Sequence, residues 1–511
     1  MSPNHAELER TGALPPGGWA ASADTTSTIA LTQRVMALQS WAARCEPWQA
    51  TQAIALAEAA TALLRDRAEG GPAQCRQVFD EITSSNPGSG FPWAEVQPTP
   101  RGLAFLYQFA PWADTGAVVA SKRLRERGQV VDVISCSAAH RRRIDPTIAS
   151  ISAPYVGRLI HLDLDQAWAS WPAVRNYAVR ATQEAESMGG SRTHLYTRAM
   201  WVPPHYAGAY YKTRHPAVPW IAEFSDPLSI DVEGRRRTGP TVPREDWFEA
   251  VWSEVEARYG TIPETERGFF SFAEWITYAL ADELVFTNEN QRDLMLSSIE
   301  HPDLRADALG RSRVSHHPVL PHSFYDLVDN EYVVDASKLN LAYFGDFYAT
   351  RGISDITSAI KLLPDELRKQ VNLHVFTSFV PAGQGGSRPA YLSQAAYDDL
   401  VQRAMAGVGG AGLESQIHLN PALPYLDFLN ITRRFDYLIV SDARTAGHHE
   451  VNPYLPSKFS DYANSTAGTW ALVEEGSILS RAAAAITTPV GDVPAALEAL
   501  TAELLKGQGC A

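Results

Sequence analysis

The sequence predicts an α/β protein of two consecutive domains, each a doubly wound parallel sheet, preceded by a helical N-terminal extension. Three observations lead to this prediction. From residue 102 onward, short apolar runs alternate with helical patterns, which is typical of parallel strands joined by crossover helices. The alternation occurs in two series, one on each side of residue 338. Residues 1–98 instead carry Ala-rich helical patterns and end in the turn-rich stretch TSSNPGSGFPW.

The two series define two domains. The first, residues 99–325, contains six predicted strands: LAFLYQF, VVDVIS, RLIHLDL, THLYT, PWIAEFS and ELVFT. A polar, Arg- and Glu-rich segment at about 231–267 is predicted to be a helical insertion. The second, residues 326–488, contains five predicted strands: LNLAYFGDF, VNLHVFTSF, QIHLNP, DYLIVSDA and TWALVEEG. A helix with Asp492 as its N-cap is predicted within residues 489–511. Because ligands of such Rossmann-like sheets bind outside the carboxyl ends of the strands, we expect the two domains to face each other across one cleft.

Composition excludes several classes of function. The chain has 511 residues and a net charge of -14, which argues against a nucleic-acid partner because phosphate binding needs clustered Lys and Arg. No apolar run reaches the roughly 18 residues that cross a bilayer, and the N-terminus has no signal-peptide pattern. The four cysteines are widely spaced and form no CxxC pair, which favours a reducing cytoplasm: Cys45, Cys75, Cys136 and Cys510.

The stretch FGDFYATRG suggests a site for a diphosphate. Gly345 ends a predicted strand and lets an anion approach the backbone, and Phe347 follows it. Arg351 could then make a two-pronged contact with phosphate oxygens. The alternative is that Arg351 is a surface residue paired with Asp346 or Asp355.

The stretch NPYLPSKFSDY places Lys458 and Asp461 one helical turn apart on the same side of a helix. They could form an ion pair. They could also bind a nucleotide, with Lys458 at a phosphate and Asp461 at the ribose hydroxyls. The loop over residues 446–455 would then offer backbone N–H groups to the diphosphate. Its candidate donor-binding residues are Glu450, Asn452, Tyr454 and Leu455.

Three further patterns favour structural explanations. Asp163 and Asp165 form a D-x-D pair at a strand end, where solvated acids are commoner than a metal site. The run His448–Glu450 lacks the spacing of a helical metal site and belongs to a loop. GVGGAG, residues 407–412, follows a helical pattern and leads into a strand, the reverse of a dinucleotide loop. No metal ion is therefore expected.

Four segments in this order carry a resemblance: YFGDFYATR, LPYLDFL, DYLIVSDA and NPYLPSKFSDY. Together they resemble the C-terminal domain of GT-B glycosyltransferases, close to family 4. The resemblance implies that Arg351 and Lys458 hold the diphosphate of a nucleotide-sugar donor and that Asp461 holds its ribose. It implies transfer of the sugar to a glycan, lipid-linked or small-molecule acceptor, with retention and without a metal or other cofactor. It also implies a setting in polysaccharide or cell-envelope biosynthesis.

The first domain agrees with this resemblance. YQFAPWADTG is similar to the acceptor-side loop of these enzymes, which assigns Asp114, Thr115 and Gly116 to the acceptor side. The resemblance implies that a residue near the fourth strand acts at the transferred sugar, and Arg198 and His205 are the candidates. The chain departs from the family at one of its two donor-loop glutamates, whose place falls on a proline; Glu450 is a possible substitute.

Two other functions stay open. A nucleotide-sugar 2-epimerase can share the two-domain fold, so the fold alone does not decide the reaction. A non-catalytic protein that binds sugar nucleotides, or a scaffold, would explain the departure in the donor loop and the N-terminal extension. The expected location is the cytoplasm, and a lipid-linked acceptor would bring the protein to the inner face of the membrane.

Overall fold

The structure, a computed structural model, contains two parallel sheets covered by helices. The α/β fold class predicted from the sequence is confirmed. The description that follows covers residues 27–85, 90–138, 142–164, 166–168, 170–237, 239–383 and 388–508. Asp165, Arg141, Cys510 and residues 1–26 of the extension lie outside these ranges.

The N-terminal extension is helical and packs onto the first domain. Its helices are α1 (Thr28–Ala42), α2 (Pro47–Ala68), α3 (Pro72–Ser84) and α4 (Trp93–Val96). Phe79 lies with its ring centroid 5.4 Å from that of Trp93 and 5.3 Å from that of Tyr155. Asp80 forms an ion pair with the buried Arg125. The extension therefore shares a hydrophobic core with the first domain.

The first domain contains a seven-stranded parallel sheet in the order β3-β2-β1-β4-β5-β6-β7. Its strands are β1 (Gly102–Leu106), β2 (Val131–Cys136), β3 (Val156–Leu162), β4 (Leu195–Ala199), β5 (Trp220–Phe224), β6 (Glu283–Phe286) and β7 (Ser312–Val314). Its helices are α5 (Thr115–Arg127), α6 (Pro146–Ser152), α7 (Trp171–Ser187), α8 (Pro203–Arg214), α9 (Glu249–Tyr259), α10 (Phe269–Leu280), α11 (Glu289–Ser297) and α12 (Pro302–Gly310). In the predicted insertion, α9 is the α-helix, and two 3₁₀ turns and loops surround it.

The second domain contains a six-stranded parallel sheet in the order β10-β9-β8-β11-β12-β13. Its strands are β8 (Leu339–Phe344), β9 (Val371–Thr377), β10 (Ile417–Pro421), β11 (Tyr437–Ser441), β12 (Gly468–Val473) and β13 (Ile486–Pro489). Its helices are α13 (Ser354–Leu362), α14 (Asp365–Arg368), α15 (Gln394–Gly407), α16 (Tyr425–Ile431), α17 (Ser457–Tyr462) and α18 (Val493–Gln508). Asp492 accepts a hydrogen bond from the Ala495 N–H at 2.9 Å, which confirms it as the cap of α18. Residues 407–412 form the loop after α15, as predicted.

Local chemistry fixes the ends of the helix that follows β1. The Asp114 carboxylate accepts from the Gly116 N–H at 2.8 Å and begins α5. Gly128 ends α5 with φ +63°, a left-handed conformation that glycine adopts without strain. Strands β1, β2, β4 and β5 are buried along their whole length. Burial on both faces explains why their sequences are continuous apolar runs rather than alternating ones.

The two domains are joined by a polar seam. Lys122 of α5 donates to the Asp461 carboxylate of α17 at 2.9 Å, and both side chains are buried. Asn288 donates to the Pro453 carbonyl at 2.9 Å, and Asp145 accepts from the Tyr425 N–H at 2.7 Å. Across the described residues, none of the helices combines the length and hydropathy that a membrane span requires.

Candidate active site

The carboxyl ends of the two sheets border one cavity of about 470 Å³. Six lining residues come from the first domain: Met200, Trp201, Asp226, Val232, Arg237 and Phe270. Five come from the second domain: Tyr348, Thr350, Arg351, Ala443 and Tyr454. Most of them follow the ends of β4, β5, β8 and β11, the position where ligands bind to sheets of this kind.

Arg351 of the predicted diphosphate site lines this cavity. It lies in the loop between β8 and α13, three residues before the helix begins. Asp346 and Asp355, the acids considered as ion-pair partners of Arg351, are bonded to other groups. Asp346 accepts from the Ser378 N–H at 2.8 Å and from its hydroxyl at 2.6 Å. Asp355 accepts from Arg444 at 3.2 Å. The surface ion pairs considered for Arg351 are therefore not formed.

Asp226 contributes a carboxylate to the cavity lining, and it was not predicted from the sequence as a site residue. It follows β5, directly after the predicted strand PWIAEFS. Burial raises the pKa of its carboxyl, while Arg198, Arg351 and Arg237 oppose that shift. Arginines from both domains thus act on one carboxyl group. Its position two residues after the end of β5 is the feature of the sequence that could have identified it.

The Arg198 side chain is fixed by the buried carboxylate of Glu223. Its Nε donates to Glu223 at 3.2 Å, and Arg123 of α5 donates to the same carboxylate through a terminal guanidinium nitrogen, also at 3.2 Å. The Tyr196 hydroxyl adds a hydrogen bond of 2.8 Å. Burial alone would raise the pKa of Glu223, but the two arginines and Tyr196 lower it to about 2. Arg198 is 6% exposed and is fixed beneath the cleft.

This network gives the protein a stability that depends on pH. The folded pKa of Glu223 is about 2, below its ordinary value of 4.5, so its contribution is complete above pH 4.5 and is lost as the pH falls towards 2. The difference corresponds to on the order of 3 kcal/mol. We expect the melting temperature of the wild type to fall towards that of Glu223→Gln as the pH is lowered from 7 to 3. A difference between the two melting temperatures that stays constant from pH 7 to pH 3 would contradict the lowered pKa of Glu223.

The predicted acceptor-side residues surround a small pocket beside the main cavity. Asp114, Gly116 and Arg198 line it, and its volume of about 20 Å³ suits a single water molecule. The Asp114 carboxylate accepts from Gly116 N–H and forms an ion pair of 3.1 Å with Arg142. Thr115 is exposed in the first turn of α5. These residues therefore lie at the edge of the cleft, with Asp114 fixing the start of α5.

His205 does not reach the cavity, which corrects its prediction as a residue acting at the transferred sugar. Its side chain is fully buried in the core of the first domain. Nδ1 lies 2.9 Å from the Thr197 hydroxyl, and the ring packs against Phe224 with a centroid separation of 4.7 Å. Burial lowers its pKa to about 3, so the ring is neutral at physiological pH. Helix α8 buries nearly all its faces, and sequence spacing could not show that.

Lys458 and Asp461 lie in the seam between the domains, outside the cavity lining. Asp461 accepts from Lys122 at 2.9 Å and from the Tyr425 hydroxyl at 2.8 Å, and Lys458 lies 3.6 Å from its other oxygen. The predicted ion pair between Lys458 and Asp461 is thus present. The Lys458 ammonium also lies 4.1 Å from the centroid of the Phe428 ring.

The predicted contact of Asp461 with a ribose needs correction. The side chain is 4% exposed, and its carboxylate is already bonded to two lysines and a tyrosine. Burial alone would raise the pKa of Asp461, but Lys122 and Lys458 hold it below its usual range. Partial burial lowers the pKa of Lys458, and Asp461 opposes that shift. Asp461 is therefore placed to orient Lys458, whose side chain is 32% exposed.

The loop between β11 and α17 is anchored from both domains. Asn452 is buried and accepts from the Tyr454 N–H at 2.9 Å, so this amide is already used within the loop. Asn290 of the first domain donates to the Asn452 carbonyl at 3.0 Å. The Leu455 carbonyl lies 3.2 Å from Nε2 of His317. Of the predicted donor residues here, Tyr454 lines the cavity.

Glu474 organises the same loop and was not predicted. Its carboxylate accepts from the Thr445 N–H at 2.6 Å, from the Thr445 hydroxyl at 2.6 Å and from the Ala446 N–H at 3.0 Å. It also accepts from Asn452 at 3.0 Å. Glu450 is exposed in the loop. Glu450 is not among the residues that line the cavity.

The remaining donor candidates belong to the second sheet. Gly345 has a φ of +143°, a conformation that residues with side chains rarely adopt. Phe347 is half-buried against Phe379, with a centroid separation of 4.8 Å, and against Gly407. Its ring thus fills the apolar core beside α15 rather than the cavity, which corrects its prediction as a donor-binding residue.

The acidic and histidine-containing motifs do not assemble. Asp163 is exposed at the end of β3. His449 lies with Nε2 2.8 Å from the Asp231 carbonyl, which ties the loop to the first domain. Across the residues that the structure describes, His, Cys, Asp and Glu side chains do not gather in groups of three that could hold a metal ion.

Two parallel Rossmann-like sheets thus face each other across a shared cavity. This is the two-domain arrangement that the sequence predicted. No protein-family model and no curated protein matches its sequence. Solved structures are similar to it over most of their length. A glycosyltransferase from Rickettsia africae is 10% identical, with 80% of this chain and 90% of that chain covered and a TM-score of 0.47.

Two other structures show the same degree of similarity. An α,α-trehalose-phosphate synthase (UDP-forming) from Burkholderia xenovorans, in complex with glucose-6-phosphate, is 12% identical over 79% of this chain and 92% of that chain, with a TM-score of 0.47. S. aureus MnaA with UDP is 12% identical over 80% of this chain and 88% of that chain, with a TM-score of 0.41. Similarity of this degree does not decide an activity, which depends on the residues of the site.

Proposed function

We propose that this protein transfers a sugar from a nucleotide-diphosphate sugar to an acceptor hydroxyl in the interdomain cavity, with retention and without a metal ion. One observation carries the proposal. In a chain with a net charge of -14, arginines of both domains converge on one cavity of about 470 Å³ at the ends of two sheets. Such an excess of positive charge suits a diphosphate.

The chemistry requires stabilisation of the negative charge that develops as the diphosphate leaves. Arg351 and Arg237 lie on opposite walls and can bind its oxygens from two sides. Fixed cations in a cleft from which water is excluded are effective in this role. In this proposal Lys458 adds a further positive charge at the edge of the cavity, and Asp461 orients it. Arg198, beneath the cavity, adds to the positive electrostatic potential.

The cavity wall also favours a sugar as the acceptor. Met200, Trp201 and Phe270 give the first-domain side an apolar and aromatic surface, against which the C–H face of a sugar ring can pack. A 2-epimerase would need carboxylates and histidines around the sugar. The described residues that line this cavity include one carboxylate, Asp226, and no histidine. This composition favours transfer over epimerisation.

The setting follows from the same proposal. A cytoplasmic location agrees with Cys45 and Cys75, which form no disulfide. Nucleotide sugars would be used there for polysaccharide or cell-envelope biosynthesis. A lipid-linked acceptor would bring the protein to the inner face of the membrane.

The first test is a thermal-shift panel of UDP, GDP, ADP, TDP and CMP, each with and without Mg²⁺. A ligand at 100 times its Kd stabilises the fold by about 2.7 kcal/mol, which is readily detected. We expect one diphosphate to raise the melting temperature without Mg²⁺, and Arg351→Ala to lose most of that shift. Arg444→Ala is the matched control because Arg444 pairs with Asp355 and does not line the cavity.

Two results would overturn the donor site. One is the absence of a shift with every nucleotide. The other is a shift that needs Mg²⁺ and persists in Arg351→Ala. If the nucleotide binds, incubation of its sugar conjugates with candidate acceptors then separates a transferase from a protein that only binds the donor, since the transferase releases the nucleoside diphosphate.

A further inference from the structure

The carboxylate of Asp226 lines the interdomain cavity without a bonding partner. The side chain is half-buried. Among the residues that the structure describes, none donates a hydrogen bond to its oxygens or forms an ion pair with them. Glu223, three residues earlier in the chain, is by contrast bonded to two arginines and a tyrosine. A half-buried acid that faces a cavity with its oxygens unoccupied is typical of a group that acts on a ligand.

The backbone is fixed on both sides of Asp226. Before it, the Ser225 N–H donates to the Ala199 carbonyl at 3.0 Å, which continues the pairing of β5 with β4. After it, the buried Glu274 carboxylate accepts from the Leu228 N–H at 2.8 Å and from the Ser229 N–H at 2.9 Å. The position of Asp226 is therefore set before a substrate arrives, as a group that acts in a transition state requires.

Cations from both domains surround this carboxylate. Arg198 at the end of β4, Arg237 in the loop after β5 and Arg351 of the second domain are its charged neighbours, and Tyr454 faces it from the loop before α17. Burial raises the pKa of Asp226, and the three arginines oppose that shift. A diphosphate bound by Arg351 and Arg237 offsets their charges. Binding of the donor therefore raises the pKa of Asp226 and makes its carboxylate a stronger base.

The proposed transfer needs a group that takes the proton of the acceptor hydroxyl. Diphosphate oxygens held by two guanidinium groups are weak bases, because neighbouring cations stabilise the deprotonated form. The Asp226 carboxylate lies on the first-domain side of the same cavity, beside the apolar surface to which Met200 and Trp201 contribute. It is thus placed on the acceptor side, while Arg351 and Tyr454 lie on the donor side.

We propose that Asp226 is the general base of the transfer, an assignment that rests on the proposed function. The acceptor oxygen forms a bond to the anomeric carbon of the donor sugar, and its proton passes to the Asp226 carboxylate. The bond between that carbon and the diphosphate oxygen breaks, and its electron pair leaves with the nucleoside diphosphate. The proton then passes from Asp226 to water.

The test compares the wild type with Asp226→Asn, which keeps the shape of the side chain but cannot take the proton. The assay measures release of the nucleoside diphosphate from the sugar conjugates of the nucleotide that binds, with water, glycerol and D-glucose as probe acceptors. We expect kcat to fall by about 10²- to 10⁴-fold, the usual contribution of a positioned general base. The melting temperature and its shift with the diphosphate should be unchanged or higher, because the carboxylate that is removed has no partner.

The dependence on pH gives a second readout. A base must be deprotonated to act, so kcat of the wild type should fall as the pH drops below the pKa of Asp226 in the donor complex. The residual rate of Asp226→Asn should not show this fall. A structural role for Asp226 would lower the rate without removing the acid limb of the profile.

Azide distinguishes a base from a residue that only orients the acceptor. The azide ion attacks the anomeric carbon without losing a proton, so its reaction needs no base. We expect sodium azide to raise diphosphate release by Asp226→Asn about tenfold or more, with a glycosyl azide as the product. The wild type should respond little, because the charge of Asp226 repels the anion.

Asp231→Asn is the matched control. It removes a carboxylate five positions away that is paired with Arg235 at 3.1 Å and does not line the cavity, so it should react like wild type. The assignment of Asp226 is overturned if Asp226→Asn reacts within about threefold of wild type, or if azide does not accelerate it. The proposed function survives that result, since the wild type still transfers the sugar. A wild type that releases no diphosphate with any probe acceptor overturns both.

Discussion

Replacement of Arg351 with alanine is expected to lower kcat for sugar transfer by about 10²- to 10³-fold, the usual effect of removing one group that stabilises a developing negative charge. Arg351 lines the interdomain cavity, and the acids considered as its partners are bonded elsewhere. Its charge is therefore available to the diphosphate that leaves in the proposed reaction. The measurement is the initial rate of nucleoside diphosphate release at saturating donor, with the donor identified by the thermal-shift panel.

A matched series makes this prediction specific. Arg351→Lys keeps the charge but loses the planar two-pronged contact, so its rate should lie between those of wild type and Arg351→Ala. Arg444→Ala should react like wild type. A rate of Arg351→Ala within threefold of wild type would show that this arginine does not stabilise the leaving group. The role would then pass to Arg237 on the opposite wall.

Lys122 is expected to have the largest effect on stability. Its side chain is 1% exposed, and its ammonium reaches Asp461 of the second domain at 2.9 Å and the Ser460 hydroxyl at 2.7 Å. Removal of one partner of a buried ion pair costs about 3–5 kcal/mol because the remaining charge stays buried. We expect Lys122→Met near the lower end of this range, since Lys458 still lies beside Asp461. Calorimetric and urea unfolding would measure the loss.

Two variants test whether the charge is responsible. Tyr425→Phe removes a hydrogen bond from an uncharged donor to the same Asp461 oxygen and should cost about 1.5–2 kcal/mol, less than Lys122→Met. The double variant Lys122→Met with Asp461→Leu removes both charges and should recover most of the loss, because a buried ion pair can be replaced by apolar side chains at little cost. A double variant as unstable as the sum of the two single variants would contradict this account.

The arrangement of the sheets followed from the sequence, because strands buried on both faces leave continuous apolar runs. Strands β7 and β13 were missed because SRV and ITTP, their sequences, contain no such run. The two changes of pattern, near residue 98 and near residue 338, come shortly before β1 and β8 begin, at Gly102 and Leu339. Residues 231–267 proved to be mostly loop around α9, since polar composition does not separate a helix from a structured loop.

The sequence could indicate only those residues of the candidate site that lie in loops after strands. Arg351 and Tyr454, both predicted at the donor site, line the cavity, and they lie in the loops that follow β8 and β11. Lys122 could not be found: it is 339 positions from its partner Asp461, and its helical context is that of an ordinary surface lysine. Asp226 follows β5 and was within reach of the same reasoning that found Arg351. His205 was misplaced because the pattern of α8 does not reveal which of its faces are buried.

Helix α5 connects parts of the protein that the sequence separates widely. Lys122 binds the second domain, Arg123 binds the Glu223 carboxylate beneath the cleft, and Arg125 binds Asp80 of the extension. Asp114, at the start of α5, borders the small pocket beside the cavity. Thirteen residues span about 20 Å, so this helix behaves as one stiff rod. The N-terminal extension, the carboxylate beneath the cleft and the second domain are therefore all attached to a single rigid element.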